Sequence, residues 1–354
     1  MSPSRKIALA LFLFVIAAAA PAWAKQKPLL VPGHRSASVA GMDDASEFFS
    51  WLSDHTLLAD RYDASRNRAL VRIDLADKTV ERLGGLTQAF KPMDANPLAD
   101  PRWQASPNGK WVLFYGFYRN GAALEQTSSD APAPIPVFAV SIDGRQQIAF
   151  TPEEGDSVVA WMPDSQRWVE ITATEAIFHS LDDPQSATHV PLSLPAGDGP
   201  SAFAPAGSAL LRVTSNGHAI LAAGLGDPRA GKITLCDLDL AANPAKGRVF
   251  SIPIPPVSQI NAIAVSPDGK RIAWEWDVSG GGSDDPAWWR ERPSPVRYSS
   301  DPDNLIELWT SDLDGSHFHM IGRADTGSKT LLWSPDGKTI YFTFGDYFWG
   351  FAAK

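Results

Sequence analysis

The stretch Ser266-Pro267-Asp268-Gly269-Lys270-Arg271-Ile272-Ala273-Trp274-Glu275 decides the fold, because it recurs along the chain. Close copies read SPNGKWVLFY at 106–115 and SPDGKTIYFT at 334–343. Weaker copies read MPDSQRWVEI at 162–171 and APAGSALLRV at 204–213, and a worn one, LSDHTLLA, occupies 52–59. Proline suits the second position of a type I turn, Asp or Asn the third, and glycine the left-handed position that follows. Such a turn closes a β-hairpin, and the alternation after it marks a strand with one face inward. Val112 and Phe114, Ile272 and Trp274, and Ile340 and Phe342 share that inward face. Two residues before each proline stand Ala105, Trp161, Phe203, Val265 and Trp333, on the strand that enters the turn.

A second element follows each copy, an apolar run ending in an acidic turn: LVRIDLAD at 70–77, VFAVSIDG at 137–144, AIFHSLDD at 176–183, ITLCDLDL at 233–240 and LWTSDLDG at 308–315. A further strand comes after it, as in RQQIAF at 145–150. Each unit therefore reads as four strands, a to d, with no strong helical period. The turn prolines at 107, 163, 205, 267 and 335 are 56, 42, 62 and 68 residues apart. The shortest spacing matches a propeller blade of about 40–45 residues, and the longer ones a blade plus an insertion. Six units predict an all-β, six-bladed β-propeller of four-stranded antiparallel blades. The sixth runs out after Thr343, so Lys27–Val31 is expected to supply its strand d and close the ring.

The Ser-Pro-Asp-Gly-Lys turn, the apolar strand after it and the Asp-Leu-Asp-Gly turn resemble the repeats of TolB-like β-propellers. The resemblance spans roughly residues 47–350. It departs at Ser165, where the motif has Gly, at Ala206, where it has Asp, and in the first unit, which has neither Pro nor Gly. TolB also carries an N-terminal α/β domain, for which residues 25–46 are too short. Its role in an envelope complex is therefore not carried over, and the repeat itself brings no catalytic residues.

Arg5 and Lys6, the apolar run Ile7–Ala20, Pro21 and the Ala22-Trp23-Ala24 site have the layout of a secretory signal peptide. The run is shorter than the roughly 20 residues of a spanning helix. Expected divisions are a signal peptide at 1–24, a closing strand and loop at 25–46, and the propeller at 47–354, in a periplasmic or secreted protein without an integral membrane span after cleavage. Over 354 residues the net charge is −9, so no basic field draws nucleic acid. The single cysteine, Cys236, excludes an internal disulfide and is expected to be buried.

Catalytic patterns mostly fail. Gly226-Asp-Pro-Arg-Ala-Gly231-Lys232 approaches a phosphate-binding loop, but Ile233 replaces the Ser or Thr that holds the metal, and a strand follows where a helix is required. There is no G-x-S-x-G elbow. Propeller peptidases of the prolyl oligopeptidase type resemble these repeats but need an added hydrolase domain. Oligogalacturonate lyases resemble them too, with a metal held mainly by His, and the seven His show no matching cluster. His317 and His319 have the spacing of a weak metal pair on a strand at the rim, and Asp312/Asp314 and Asp237/Asp239 read as acidic turns. No cofactor and no metal are expected.

One feature points to binding. The a–b and c–d turns are short, whereas the insertions at 117–135, 214–231 and 277–304 are b–c loops, joined by a long d–a loop at 84–102. Strand alternation gathers them on one face. Loop 277–304 carries Trp288, Trp289, Arg290, Arg292 and Tyr298, with Tyr118 and Arg119 expected across from them. Aromatics with arginine form binding hot spots; the same loop could equally be a lid docked on its own propeller. Two functions are consistent with this: an exported, non-catalytic propeller binding a protein, peptide or glycan of the cell envelope on its loop face, or an exported enzyme of lactonase or polysaccharide lyase type acting at the channel mouth.

Overall fold

A computed structural model of the chain describes residues 29–30, 42–43, 49–63, 68–77, 79–94, 99–118, 137–151, 157–194, 209–222, 232–253, 259–277, 306–324, 331–344 and 347–353. Within them the protein is almost entirely β. Strand β1 (Leu29–Leu30) precedes a first sheet of β2 (Met42–Asp43), β3 (Phe49–Trp51), β4 (Thr56–Asp63), β5 (Arg68–Asp74) and β6 (Thr79–Arg82), with β2 and β3 both on β4. Helix α1 (Gly84–Asp94) leads to a second sheet, β7 (Ala99–Ala105), β8 (Trp111–Tyr118), β9 (Val137–Ser141) and β10 (Gln147–Phe150).

Two further antiparallel meanders follow. The third is β11 (Val158–Trp161), β12 (Arg167–Ile171), β13 (Glu175–Ser180) and β14 (Thr188–Ser193); the fourth is β15 (Ala209–Val213), β16 (His218–Ala222), β17 (Lys232–Asp239) and β18 (Ala245–Pro253). A short parallel pairing, Leu192 with Ala245 and Ser193 with Lys246, fuses them into one eight-stranded sheet. The fifth is β19 (Gln259–Val265), β20 (Arg271–Asp277), β21 (Ile306–Asp312) and β22 (His319–Ala324). The last is β23 (Leu331–Trp333), β24 (Thr339–Phe344) and β25 (Tyr347–Ala352), and its outer strand is β1, with Leu29 opposite Gly350 and Leu30 opposite Trp349.

The recurrent turn is built from its own side chains. The Ser266 hydroxyl donates to the Asp268 carboxylate (2.6 Å), which also accepts from the Lys270 amide (3.1 Å), while the Gly269 amide donates to the Ser266 carbonyl (2.9 Å). Ser106 and Asn108 repeat the pattern, as do Ser334 and Asp336. Gly109, Gly269 and Gly337 have φ of 68°, 70° and 68°, where a Cβ is disfavoured. Ser165 takes the same place in the third meander at φ 59°, and its hydroxyl accepts from the Asn108 amide of the preceding turn.

The inward positions of neighbouring meanders meet in successive seams. Leu58 and Leu70 meet Trp103 and Phe114; Leu113 and Ala139 meet Trp161 and Trp168; Val169 and Ile171 meet Ala219 and Leu221. Further on, Ile220 and Leu235 meet Ile272 and Trp274, and Ala273 and Leu308 meet Leu331 and Trp333. Finally Leu332 and Tyr341 pack on Leu57 and Val71, so the last meander touches the first. Each such large side chain, once buried, contributes about 1.5–3 kcal/mol. Tryptophans also bridge seams through their indole N–H: Trp161 donates to the Gln104 carbonyl (3.0 Å) and Trp333 to the Ala264 carbonyl (3.1 Å).

Two readings are corrected. Residues 84–94, expected within an open loop, form α1, whose Leu86 and Phe90 fill the seam between the first two sheets. The helix is anchored by Thr87, whose hydroxyl accepts from the Leu70 amide at 2.9 Å. In the fourth meander, Ala209–Val213 was expected to be the second strand, following a turn at 204–207. It is the first, and the turn after it is Thr214-Ser215-Asn216-Gly217. There the Gly217 amide donates to the Thr214 carbonyl (2.9 Å), and Gly217 has φ 82°. Thr replaces Ser and Asn replaces Asp with the same hydrogen-bonding capacity, so the turn forms without proline. Residues 204–207 themselves lie outside the described residues.

Candidate functional site

In the fifth meander, β20 leaves the Ser266 turn at Arg271, paired with Asp312, and reaches Asp277, paired with Ile306. The connection between Asp277 and Ile306 therefore leaves from the end opposite the turn. In the second meander β8 likewise ends at Tyr118, opposite Ala99. Tyr118 is thus placed at that end by its backbone. Trp288, Trp289, Arg290, Arg292, Tyr298 and Arg119 lie outside the described residues, as does the side chain of Tyr118.

Polar residues are buried in the second strands toward that same end. Asp60, Tyr115 and Glu275 each lie four residues beyond the residue that closes its turn: Thr56, Trp111 and Arg271. Asp60 and Glu275 are buried. Asp60 takes the guanidinium of Arg68 at 2.8 Å, with side-chain exposures of 0% and 8%. That guanidinium also lies 5.6 Å from the ring centre of Phe90 and 5.2 Å from that of Trp103. Cation–π contact and the carboxylate together offset the cost of burying the charge. Burial pushes the Tyr115 phenol up, against the pull of Arg102. The sequence signal of the Asp60–Arg68 pair is a charge at a core-facing position, Asp60 in LLADRYD, which the repeat pattern hid.

At the opposite end, a cleft of about 670 Å³ opens between the third and fourth meanders. Met162, Phe178, Val190 and Leu240 form its apolar lining, and Asp183 and Ser215 stand among its polar residues. Nothing in the sequence reading singled it out.

Other candidates resolve into local roles. His317 does not share a strand face with His319; it sits in the turn at φ 52°, its Nδ1 2.6 Å from the Asp312 carboxylate, and β22 begins only at His319. Among the described residues, no group of three or more His, Cys, Asp or Glu could hold a metal ion. Cys236 is buried, and burial, with the Asp237 charge beside it, pushes its thiol up to about 12. A deeply protonated thiol of this kind is a poor nucleophile. Among the described residues, no helix is long and apolar enough to cross a membrane.

No protein-family model and no curated protein matches the chain. Among solved structures, a protein assigned as a TolB of Agrobacterium tumefaciens is similar over 88% of this chain and 91% of its own, at 14% identity and a TM-score of 0.45. TolB of Acinetobacter baumannii is similar over 88% of this chain and 55% of its own, at 12% identity and a TM-score of 0.45. A prolyl endopeptidase is similar over 88% of this chain and 49% of its own, at 13% identity and a TM-score of 0.48. No activity is carried over from likenesses at this level.

Proposed function

We propose that this protein is an exported six-bladed β-propeller of the TolB-like kind, and that it binds a protein, peptide or glycan of the cell envelope on the face from which its b–c connections leave. The observation that carries the reading is the separation of the two ends. The Gly109 turn packs on Leu52, the Asn108 amide bonds to Ser165, Gly269 packs on Thr214 and Gly337 on Pro267, so the short turns of neighbouring meanders touch one another at these seams, and not at that between the third and fourth. The connections 119–136 and 278–305 leave from the opposite end. Loops on a rigid scaffold are where binding usually resides, and loop 277–304 concentrates aromatic and arginine residues.

The test pairs capture with stability. The double variant Trp288→Ala, Trp289→Ala should lose partner capture from envelope extract while its melting temperature stays within about two degrees, since exposed hot-spot truncation leaves the core intact. A fall in melting temperature with capture intact would mean that the loop is a lid, because truncating a buried Trp costs about 3–5 kcal/mol.

A further inference from the structure

The geometry points to a second binding site, at the short-turn end: the cleft between the third and fourth meanders takes a short extended peptide carrying an apolar side chain beside a basic one. This site is independent of the loop-face reading and lies at the opposite end of the strands.

The cleft is where a packing rule of the fold is broken. At the first seam, a Cβ built on Gly109 would lie 2.1 Å from the Leu52 carbonyl oxygen, and at the fourth, a Cβ on Gly269 would lie 2.6 Å from the Thr214 methyl. A Cβ built on the equivalent Gly217, which should meet the third turn, finds no atom of the described residues within 4 Å. The space between is the cleft of about 670 Å³, with Gly217 and Ser215 on one side and Met162 and Pro163 on the other. That volume is in the range of about 300–1,000 Å³ that small ligands occupy. At the far end the seam is drawn shut by the pairing of Leu192 and Ser193 with β18, so β14 from Thr188 to Pro191 is not covered by that strand.

Three features select the occupant. The lining by Met162, Phe178, Val190 and Leu240 takes an apolar side chain. The charge is acidic: Arg167 is held by Asp164 at 2.7 Å, and Asp183, with Asp182 beside it in sequence, adds a carboxylate for which no ion pair is found among the described residues. Complementary charge fixes which partner docks. The edge of β14 offers main-chain groups to an extended segment, the mode by which sheets accept an added strand.

Binding is measured by fluorescence anisotropy on the full chain. The probe is a labelled pentapeptide Thr-Lys-Leu-Lys-Thr, and its acidic counterpart Thr-Glu-Leu-Glu-Thr is the control. Saturable binding of the basic peptide is expected, weaker by about tenfold or more for the acidic one. Asp183 and Ser215 are both exposed, so Asp183→Lys should weaken binding by about tenfold and Ser215→Trp, which fills the cleft, should abolish it without altering the melt. If Asp183→Lys melts early, Asp183→Asn replaces it, with the same direction expected. Absence of saturable binding up to about 1 mM, or equal binding by wild type and both variants, overturns the proposal. The Trp288→Ala, Trp289→Ala protein must bind the peptide as wild type does; loss there would place the peptide at the loop face and overturn this site while leaving the other reading intact.

Discussion

The backbones of Gly85 and Gly144 are in direct contact. A Cβ on Gly144 would lie 2.3 Å from the carbonyl carbon of Gly85, and one on Gly85 would lie 2.5 Å from the carbonyl oxygen of Asp143. The first turn of α1 is thereby pressed against the β9–β10 turn, and the helix can enter the seam only because neither residue has a side chain. Gly85→Ala is therefore expected to destabilise by about 1–3 kcal/mol, the usual cost of overpacking where backbone must move. Gly84, the preceding residue, has no atom of the described residues within 4 Å of its would-be Cβ and is the control. Denaturant midpoints of Gly85→Ala and Gly84→Ala should differ, with Gly84→Ala close to wild type.

The turn glycines should rank by their surroundings. Gly109 and Gly217 both have positive φ, 68° and 82°, but only Gly109 faces a neighbouring backbone. Gly217→Ala should lose about 1 kcal/mol, from conformation alone. Gly109→Ala should lose that plus about 1–3 kcal/mol more from the clash with Leu52. Equal losses in urea titrations would mean that the cleft beside Gly217 is closed.

Removing residues 25–32 should loosen the whole assembly, because β25 then becomes an open edge where Leu29 and Leu30 now pair with Gly350 and Trp349. A lower melting temperature and earlier elution on gel filtration at high concentration, from edge-to-edge association, are expected. A truncated protein that melts like the intact one would show that the pairing of β1 with β25 contributes nothing to stability.

Cys236 should resist thiol reagents at mildly alkaline pH, because burial and the Asp237 charge push its thiol up to about 12. Labelling followed by mass spectrometry should show modification only once denaturant is added. Rapid labelling of the native protein would contradict its burial.

Acid should weaken the turns. The Ser334 hydroxyl, and after it the Lys338 amide, hold the Asp336 carboxyl below its usual range. A carboxyl depressed in the folded state contributes stability that is present above its unfolded value of about 3.9 and is lost as pH falls through the folded value. Asp336→Asn keeps an acceptor, as Asn108 does in the equivalent turn. It should therefore melt slightly below wild type near neutrality, and the gap should close as the pH drops below about 4. Melting curves across that range read the difference directly.

The sequence by itself determined what depends on local chemistry. Ser266, Asp268 and Gly269 specify their turn through contacts made within a few residues, so a motif repeated along the chain announces a repeated hairpin. The alternation of Ile272 and Trp274 tells which face is buried for the same reason. Even the outer strand of the last meander was legible, as an apolar segment near the start of the chain and a strand missing near its end. What only the tertiary structure decided are the features made by residues far apart. The helix at Gly84–Asp94 is written in a segment with Gly84, Gly85 and Pro92, which locally reads as loop; it forms because Leu86 and Phe90 find a seam to fill. Thr214 and Asn216 close the turn, and not Pro205 and Gly207, because strand pairing sets the register there. The Asp60–Arg68 pair joins adjacent strands of one sheet, and its only sequence mark is a charge at a core-facing position. The cleft beside Gly217 has no local signal, since it depends on what a neighbouring sheet brings opposite, and that is decided by packing between sheets rather than by the order of residues within one.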